Sequence, residues 1–202
     1  PIFIVWDPAL GGDYGLGAYQ TFAQTRVGGL DDDNFYPSPG GGSYGTVTTA
    51  TNYIQSGQAF FAQATITSNG TVTFDENAKA GSVGYKNVLR GSVVNGTSGV
   101  LQLRTNLYGV KANASTFLTD GNLVQFNEIY SNKIDRLDAR KLVNSSENLG
   151  IQSGGKDLAI ERRHGIVESD TIFYHLTGAV AQNYQLEFIA SGLTAYDVQG
   201  YV

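Results

Sequence analysis

Few residues in this chain could do chemistry. Histidine occurs only at His164 and His175, and cysteine does not occur. A histidine working as a general base needs a partner positioned within hydrogen-bond reach. His164 follows Glu161-Arg162-Arg163 in a polar stretch that reads as a solvated loop, and His175 takes an outward position on an alternating strand. No serine stands in a nucleophile-elbow motif, and no glycine run matches a phosphate-binding loop. Without cysteine there is no thiolate zinc site, cysteine nucleophile or disulfide. The composition points to a protein that is not an enzyme.

Two groups of residues could bind rather than react. Asp31, Asp32, Asp33 and Asn34 form a cluster of hard oxygen donors. Such donors suit calcium, the one cofactor the sequence offers. The spacing is not that of an EF-hand and no glutamate closes it, so a solvated acidic turn is the competing reading. Tyr14, Tyr19, Tyr36, Tyr44 and Tyr53 punctuate glycine-rich sequence. Of these, Tyr36 and Tyr44 are candidates for stacking on sugar rings. Against that, tyrosines pack over sheet edges and bury large area. Sequons stand at Asn69, Asn95, Asn113 and Asn144, where loop composition explains them and Asn69 serves a turn.

These residues must be held by a β framework. The 202 residues include 26 glycines, 12 tyrosines and 10 phenylalanines, with only four prolines. That balance suits short strands joined by glycine turns. The length allows one large β domain or two small ones, and a chain this size buries a core that needs neither disulfide nor metal. Charged residues are 15% of the chain and the net charge is -5, which excludes the basic stripe of a nucleic-acid binder. No segment is apolar for long enough to form a transmembrane helix. Methionine is absent and both ends are strand-like, which suggests a piece of a longer chain.

The strand signals are local. Ile2 to Trp6 is an apolar run ending at Asp7-Pro8, and Tyr19 to Ala23 is a second candidate. Residues 28–51 are polar and glycine-rich and read as a mobile loop. Asn69-Gly70 predicts a hairpin turn before alternating Thr71 to Phe74. Leu101 to Leu107 alternates plainly, which predicts one buried and one solvated face. Asp120-Gly121 predicts the next turn, and Leu123 to Tyr130 reads as strand or short helix. Charged Ser131 to Glu147 supports no more than a turn or two of helix. Asp157 to Glu161 is a short strand. Thr171 to Leu176 and Tyr184 to Phe188 read as a closing pair bent at Thr177-Gly178-Ala179. The expected fold is all-β, an antiparallel β-sandwich with glycine-rich loops, formed by residues 1–202 as a single domain. Its expected core includes Phe60 or Phe61, Val72, Phe74, Leu101, Leu103, Ile172, Tyr174, Leu186 and Phe188.

Tyr53-Ile54-Gln55-Ser56-Gly57-Gln58-Ala59-Phe60-Phe61, followed by Gly70-Thr71-Val72-Thr73-Phe74, resembles a β-rich region of large secreted surface proteins of Bacteroidota, the clients of the type IX secretion system. Trp6-Asp7-Pro8 looks like that region's entry strand, and Leu158 to Glu161 and Tyr184 to Phe188 resemble later strands. A tryptophan expected near Leu101 to Leu107 is missing, and so is the sorting domain of such clients. The resemblance implies secretion and a place at the cell surface. Asp170-Thr171-Ile172 resembles the O-glycosylation signal of the same bacteria, making Thr171 a modification candidate. The functional expectation is a non-enzymatic structural or adhesive module, a subunit of a filament or surface complex. Its expected partners are flanking domains or other subunits, with a strand donated at the chain's ends. The alternative is a carbohydrate-binding module using loop tyrosines.

Overall fold

The computed structural model describes residues 2–8, 10, 16–27, 30–40, 54, 57–64, 70–76, 101–194 and 196, with the side chains of 25–35 outside the description. The fold is all-β, and among the described residues there is no α-helix. Four strands form one sheet: β1 (Ile2–Asp7), β2 (Ala18–Val27), β3 (Leu30–Ser38) and β4 (Phe60–Gln63), in the order β3-β2-β1-β4. Seven form the other: β5 (Leu101–Val110), β6 (Thr116–Phe126), β7 (Ala139–Arg140), β8 (Asn148–Ser153), β9 (Lys156–Arg163), β10 (Phe173–Thr177) and β11 (Asn183–Ser191). Their order is β10-β8-β9-β6-β5-β11, with β7 paired to β9. All pairings are antiparallel except β6 with β9.

The larger sheet is curled. β10 and β11 are its two end strands, yet the rings of Tyr174 and Phe188 lie 6.1 Å apart. It therefore has an outer face against the smaller sheet and a concave inner face, the hollow of the sheet, which encloses a core. Leu123, Ala139 and Ile160 on the outer face pack on Ile2, Ala23 and Tyr36. Leu103, Val124, Phe126, Ile151 and Leu158 fill the inner face, with Leu193. Leu158 and Ile160 reach opposite faces because Arg140 and Ala139 pair with them in turn, skipping Ala159. An extra residue of this kind in one strand is a β-bulge, and it reverses side-chain facing.

Polar bonds tie the sheets together. Arg162 reaches across from Nη2 to the Gln24 carbonyl of β2 (2.7 Å), while its Nη1 donates to the Leu137 carbonyl (2.8 Å) and its Nε to Gln125 Oε1 (3.0 Å) on its own side. Ser38 Oγ donates to the Ala159 carbonyl at 3.1 Å, and Arg104 Nη1 to that of Pro37. Burial lowers the Arg104 guanidinium to about 10.

Several local expectations are corrected. Leu101 to Leu107 is a strand, but Gln102, Arg104 and Asn106 are buried too, because the second sheet covers the face read as solvated. Asp120-Gly121 lies inside β6; the turn is at 111–115, where Asn113 Oδ1 accepts from Ser115 N (3.0 Å) and Oγ (2.6 Å). Residues 30–38 of the expected loop form β3, and 41–51 lie outside the described residues. Thr71 to Phe74 is not a strand, and Val72 (56%) and Phe74 (74%) are exposed, Phe74 meeting Phe60 edge-on. Phe61 is likewise exposed, at 56%. β10 and β11 follow one another in the chain but do not pair. Ile2 to Val5 pairs on both sides, with β2 and β4, so both of its edges are covered within this chain; the Tyr201 end is outside the described residues.

Candidate functional site

The sequence candidates do not converge. His175 Nδ1 lies 3.0 Å from Asp157 Oδ2, and His164 Nε2 lies 3.0 Å from Glu128 Oε2, both pairs exposed. Among the described residues neither imidazole bonds a hydroxyl group. Asp31, Asp32, Asp33 and Asn34 belong to strand β3 rather than to a turn, and their side chains are outside the description. Tyr36 is corrected outright: it is 7% exposed, buried between the sheets with Ile2 and Leu123, and presents no face to a sugar. Tyr44 lies outside the described residues. Thr171 is exposed just before β10, and its carbonyl accepts from Arg163 Nη1 at 3.0 Å.

A different feature was not foreseen. The outer edges of β10 and β11 have no strand partner among the described residues, and the two edges border one seam. Pairing shows which side chains turn into the hollow. Phe188 stands opposite Thr105 and Leu186 opposite Leu107 on β5, while Tyr174 stands opposite Ile151 on β8. Directly paired residues share a face, so Leu186, Phe188 and Tyr174 belong to the inner face with Leu103 and Ile151. Sequence reading placed Leu186 and Phe188 in the core, because their alternation with Gln185 and Glu187 is that of a half-buried strand. They are instead 36% and 48% exposed, and Leu176 on β10 is 43% exposed. They form an apolar rim. Alternation reports facing but not whether a further strand covers the face.

Beneath the rim the inner face carries a polar row. Phe188, Thr105 and Asn122 follow one another across β11, β5 and β6. Tyr174 spans the hollow and its hydroxyl meets Thr105 Oγ1 at 2.9 Å. Burial pushes the Tyr174 phenol up; the Thr105 bond opposes this and the nearby Glu161 carboxylate adds to it. Asn122 is fully buried, and among the described residues neither its amide nitrogen nor its oxygen has a hydrogen-bond partner. Glu161 Oε2 is also without a hydrogen bond, although Arg163 Nη1 lies 3.9 Å away. Buried polar groups are nearly always paired, so this row is an exception that needs an explanation. At one end Tyr184 donates to Glu147 Oε1 at 2.7 Å, which anchors the start of β11.

A second surface feature joins three strands. Trp6, Tyr19 and Phe61 form an edge-to-face series with centroids 4.9 and 5.9 Å apart. Trp6 is 37% exposed and Phe61 56%. Gly17, at φ +75°, packs against the indole so closely that a Cβ would lie 2.5 Å from its Nε1. Trp6 and Tyr19 meet because they are a register pair of β1 and β2. No protein-family model, curated protein or solved structure matches this chain.

Proposed function

We propose that this chain is a non-enzymatic structural or adhesive module of a secreted bacterial surface protein, which joins other copies of itself through the seam between β10 and β11. One observation carries the assembly reading: two strand edges have no strand partner among the described residues and stand over a rim of exposed Leu176, Leu186 and Phe188. An open edge is a template for another strand, and proteins that remain separate usually blunt it with charge, proline or a covering segment. Secretion and surface location rest on the resemblance of Tyr53 to Phe61 and Gly70 to Phe74 to type IX clients.

Light scattering on the 202-residue chain over a range of concentrations tests the reading. The mass is expected to rise above the monomer value with concentration. Leu186→Lys with Phe188→Lys should return it to the monomer value with an unchanged far-UV spectrum. A monomeric wild-type chain at all concentrations refutes it.

A carbohydrate-binding reading is favoured by a separate observation, the exposed Trp6-Tyr19-Phe61 series. Aromatic faces carry apolar ligand surfaces. A glycan array showing binding that Trp6→Ala abolishes would support it, and a blank array would remove it.

A further inference from the structure

We infer that Lys141 and Asp120 join covalently: the Lys141 amine condenses with the Asp120 carboxyl group to form an isopeptide bond that cross-links the larger sheet. This goes beyond the assembly reading and does not depend on it. Three observations carry it.

The first is proximity. Lys141 Nζ lies 2.7 Å from Asp120 Oδ1 and 2.6 Å from Oδ2. A nitrogen that close to both oxygens is in van der Waals contact with the carboxyl carbon, the atom it attacks. The backbone fixes both partners. Asp120 lies inside β6, paired with Leu107 where the β5–β6 register shifts. Lys141 directly follows β7, and its N–H donates to the Asp157 carbonyl of β9 at 3.0 Å. Groups held in contact react as if highly concentrated, because the entropy of bringing them together is already lost.

The second is burial. The Asp120 side chain is fully buried and that of Lys141 is 6% exposed. Among the described residues neither has another ion-pair partner. Burial pushes the Asp120 carboxyl up, while Lys141 and the N–H groups of Leu149 and Gly121 act in the opposite sense. Taking an ion pair out of water costs much of its advantage over the neutral pair. Transfer of one proton from the ammonium to the carboxylate leaves a free amine beside a carboxylic acid, the two forms that condense.

The third is a set of donors for the developing oxyanion. The Leu149 N–H donates to Asp120 Oδ2 at 2.6 Å, and the Gly121 N–H also bonds the carboxyl group. Fixed donors of this kind stabilise the charge that grows on the carbonyl oxygen during attack. The amine adds to Cγ and the C–N bond forms. Oδ1 then leaves as water, taking a proton from the nitrogen. One ammonium and one carboxylate become one neutral secondary amide and one water. A site closed to bulk water protects the amide from hydrolysis. The bond ties β6 to the segment after β7 in a chain that has no cysteine for a disulfide.

Intact-mass spectrometry of the 202-residue chain, folded and then denatured, tests the bond. The wild-type mass should be lower than the sequence mass by one water molecule, and Lys141→Arg should restore the full sequence mass. A tryptic digest should contain a branched peptide that joins Asp120 to Lys141, with no cleavage after Lys141. Asp120-Gly121 can also cyclise to a succinimide with the same loss of water, and the digest separates the two products. A loss that persists in Lys141→Arg, or that maps to a peptide without Lys141, overturns the proposal. So does a wild-type chain that keeps its full sequence mass after long incubation in the folded state. If Lys141→Arg does not fold, the branched peptide of the wild-type chain decides alone, and its absence overturns the bond.

Discussion

Replacing Arg162 by leucine should weaken the fold more than any surface change. Arg162 is 4% exposed, and its guanidinium joins β9 to β2 of the other sheet. Its removal strands three acceptors: Gln125 Oε1, the Leu137 carbonyl and the Gln24 carbonyl. It also removes a cation above the Tyr130 ring, 5.9 Å from the centroid. A buried acceptor left unpaired costs about 1–3 kcal/mol. The Gln24 carbonyl, at a β2 irregularity in a half-buried residue, should recover water and count for little. Offsetting these losses is the relief of no longer burying a charge; burial is the main cause of the lowered Arg162 pKa. Two buried acceptors stranded at that cost, partly offset by the relief, give an expected loss of about 2–4 kcal/mol. Equilibrium urea unfolding followed by circular dichroism measures it, with exposed Arg136→Leu as a control expected within about 0.5 kcal/mol of wild type. A loss below about 1 kcal/mol for Arg162→Leu would show that the guanidinium's buried bonds do not stabilise the fold.

Further expectations concern protonation, packing and backbone. Burial raises the Asp138 carboxyl from 3.8 to about 6. The fold therefore favours its protonated form, so this group's contribution is greatest below its ordinary pKa and declines as the pH rises to about 6, by at most about 3 kcal/mol. Unfolding titrations of Asp138→Asn should lack that decline, and an unchanged slope would refute the assignment. Phe74→Ala should cost less than about 1 kcal/mol because the ring is exposed, whereas Phe126→Ala should cost about 3–5 kcal/mol in thermal or urea unfolding; a reversed order would contradict the packing. Gly178→Ala should destabilise measurably, since φ is +70° and a Cβ would run into the Ser146 carbonyl oxygen; an unchanged melting temperature would refute it.

Strand character was legible in the chain because it is a local property. The apolar run Ile2 to Val5 and the alternation of Leu101 to Leu107 and Tyr184 to Phe188 mark β1, β5 and β11 without reference to anything distant. Glycine and asparagine turns were less certain guides. Gly154-Gly155, both at positive φ, closes the β8–β9 hairpin, and Asn113 with Ala114 at φ 62° closes β5–β6, while Asp120-Gly121 runs through a strand. A dipeptide permits a turn, but pairing along the whole strand decides whether one forms.

What covers each strand was decided only in three dimensions. Arg104 and Asn106 alternate with leucine exactly as solvated residues do, yet the second sheet buries them because Pro37 and Gly40 come within bonding reach. Tyr36 looks like a loop aromatic and is core, for the same reason. Leu186 and Phe188 carry a core pattern and are rim, because β10 lies across an open seam instead of beside β11. The sequence by itself determined that Ile2 to Val5, Leu101 to Leu107 and Tyr184 to Phe188 extend and which way the side chains of the last two alternate, since a run of strand-forming residues and a period of two are local. Sheet order, closure and the isolated Asn122 amide depend on contacts between residues far apart in the chain, and no local pattern encodes those.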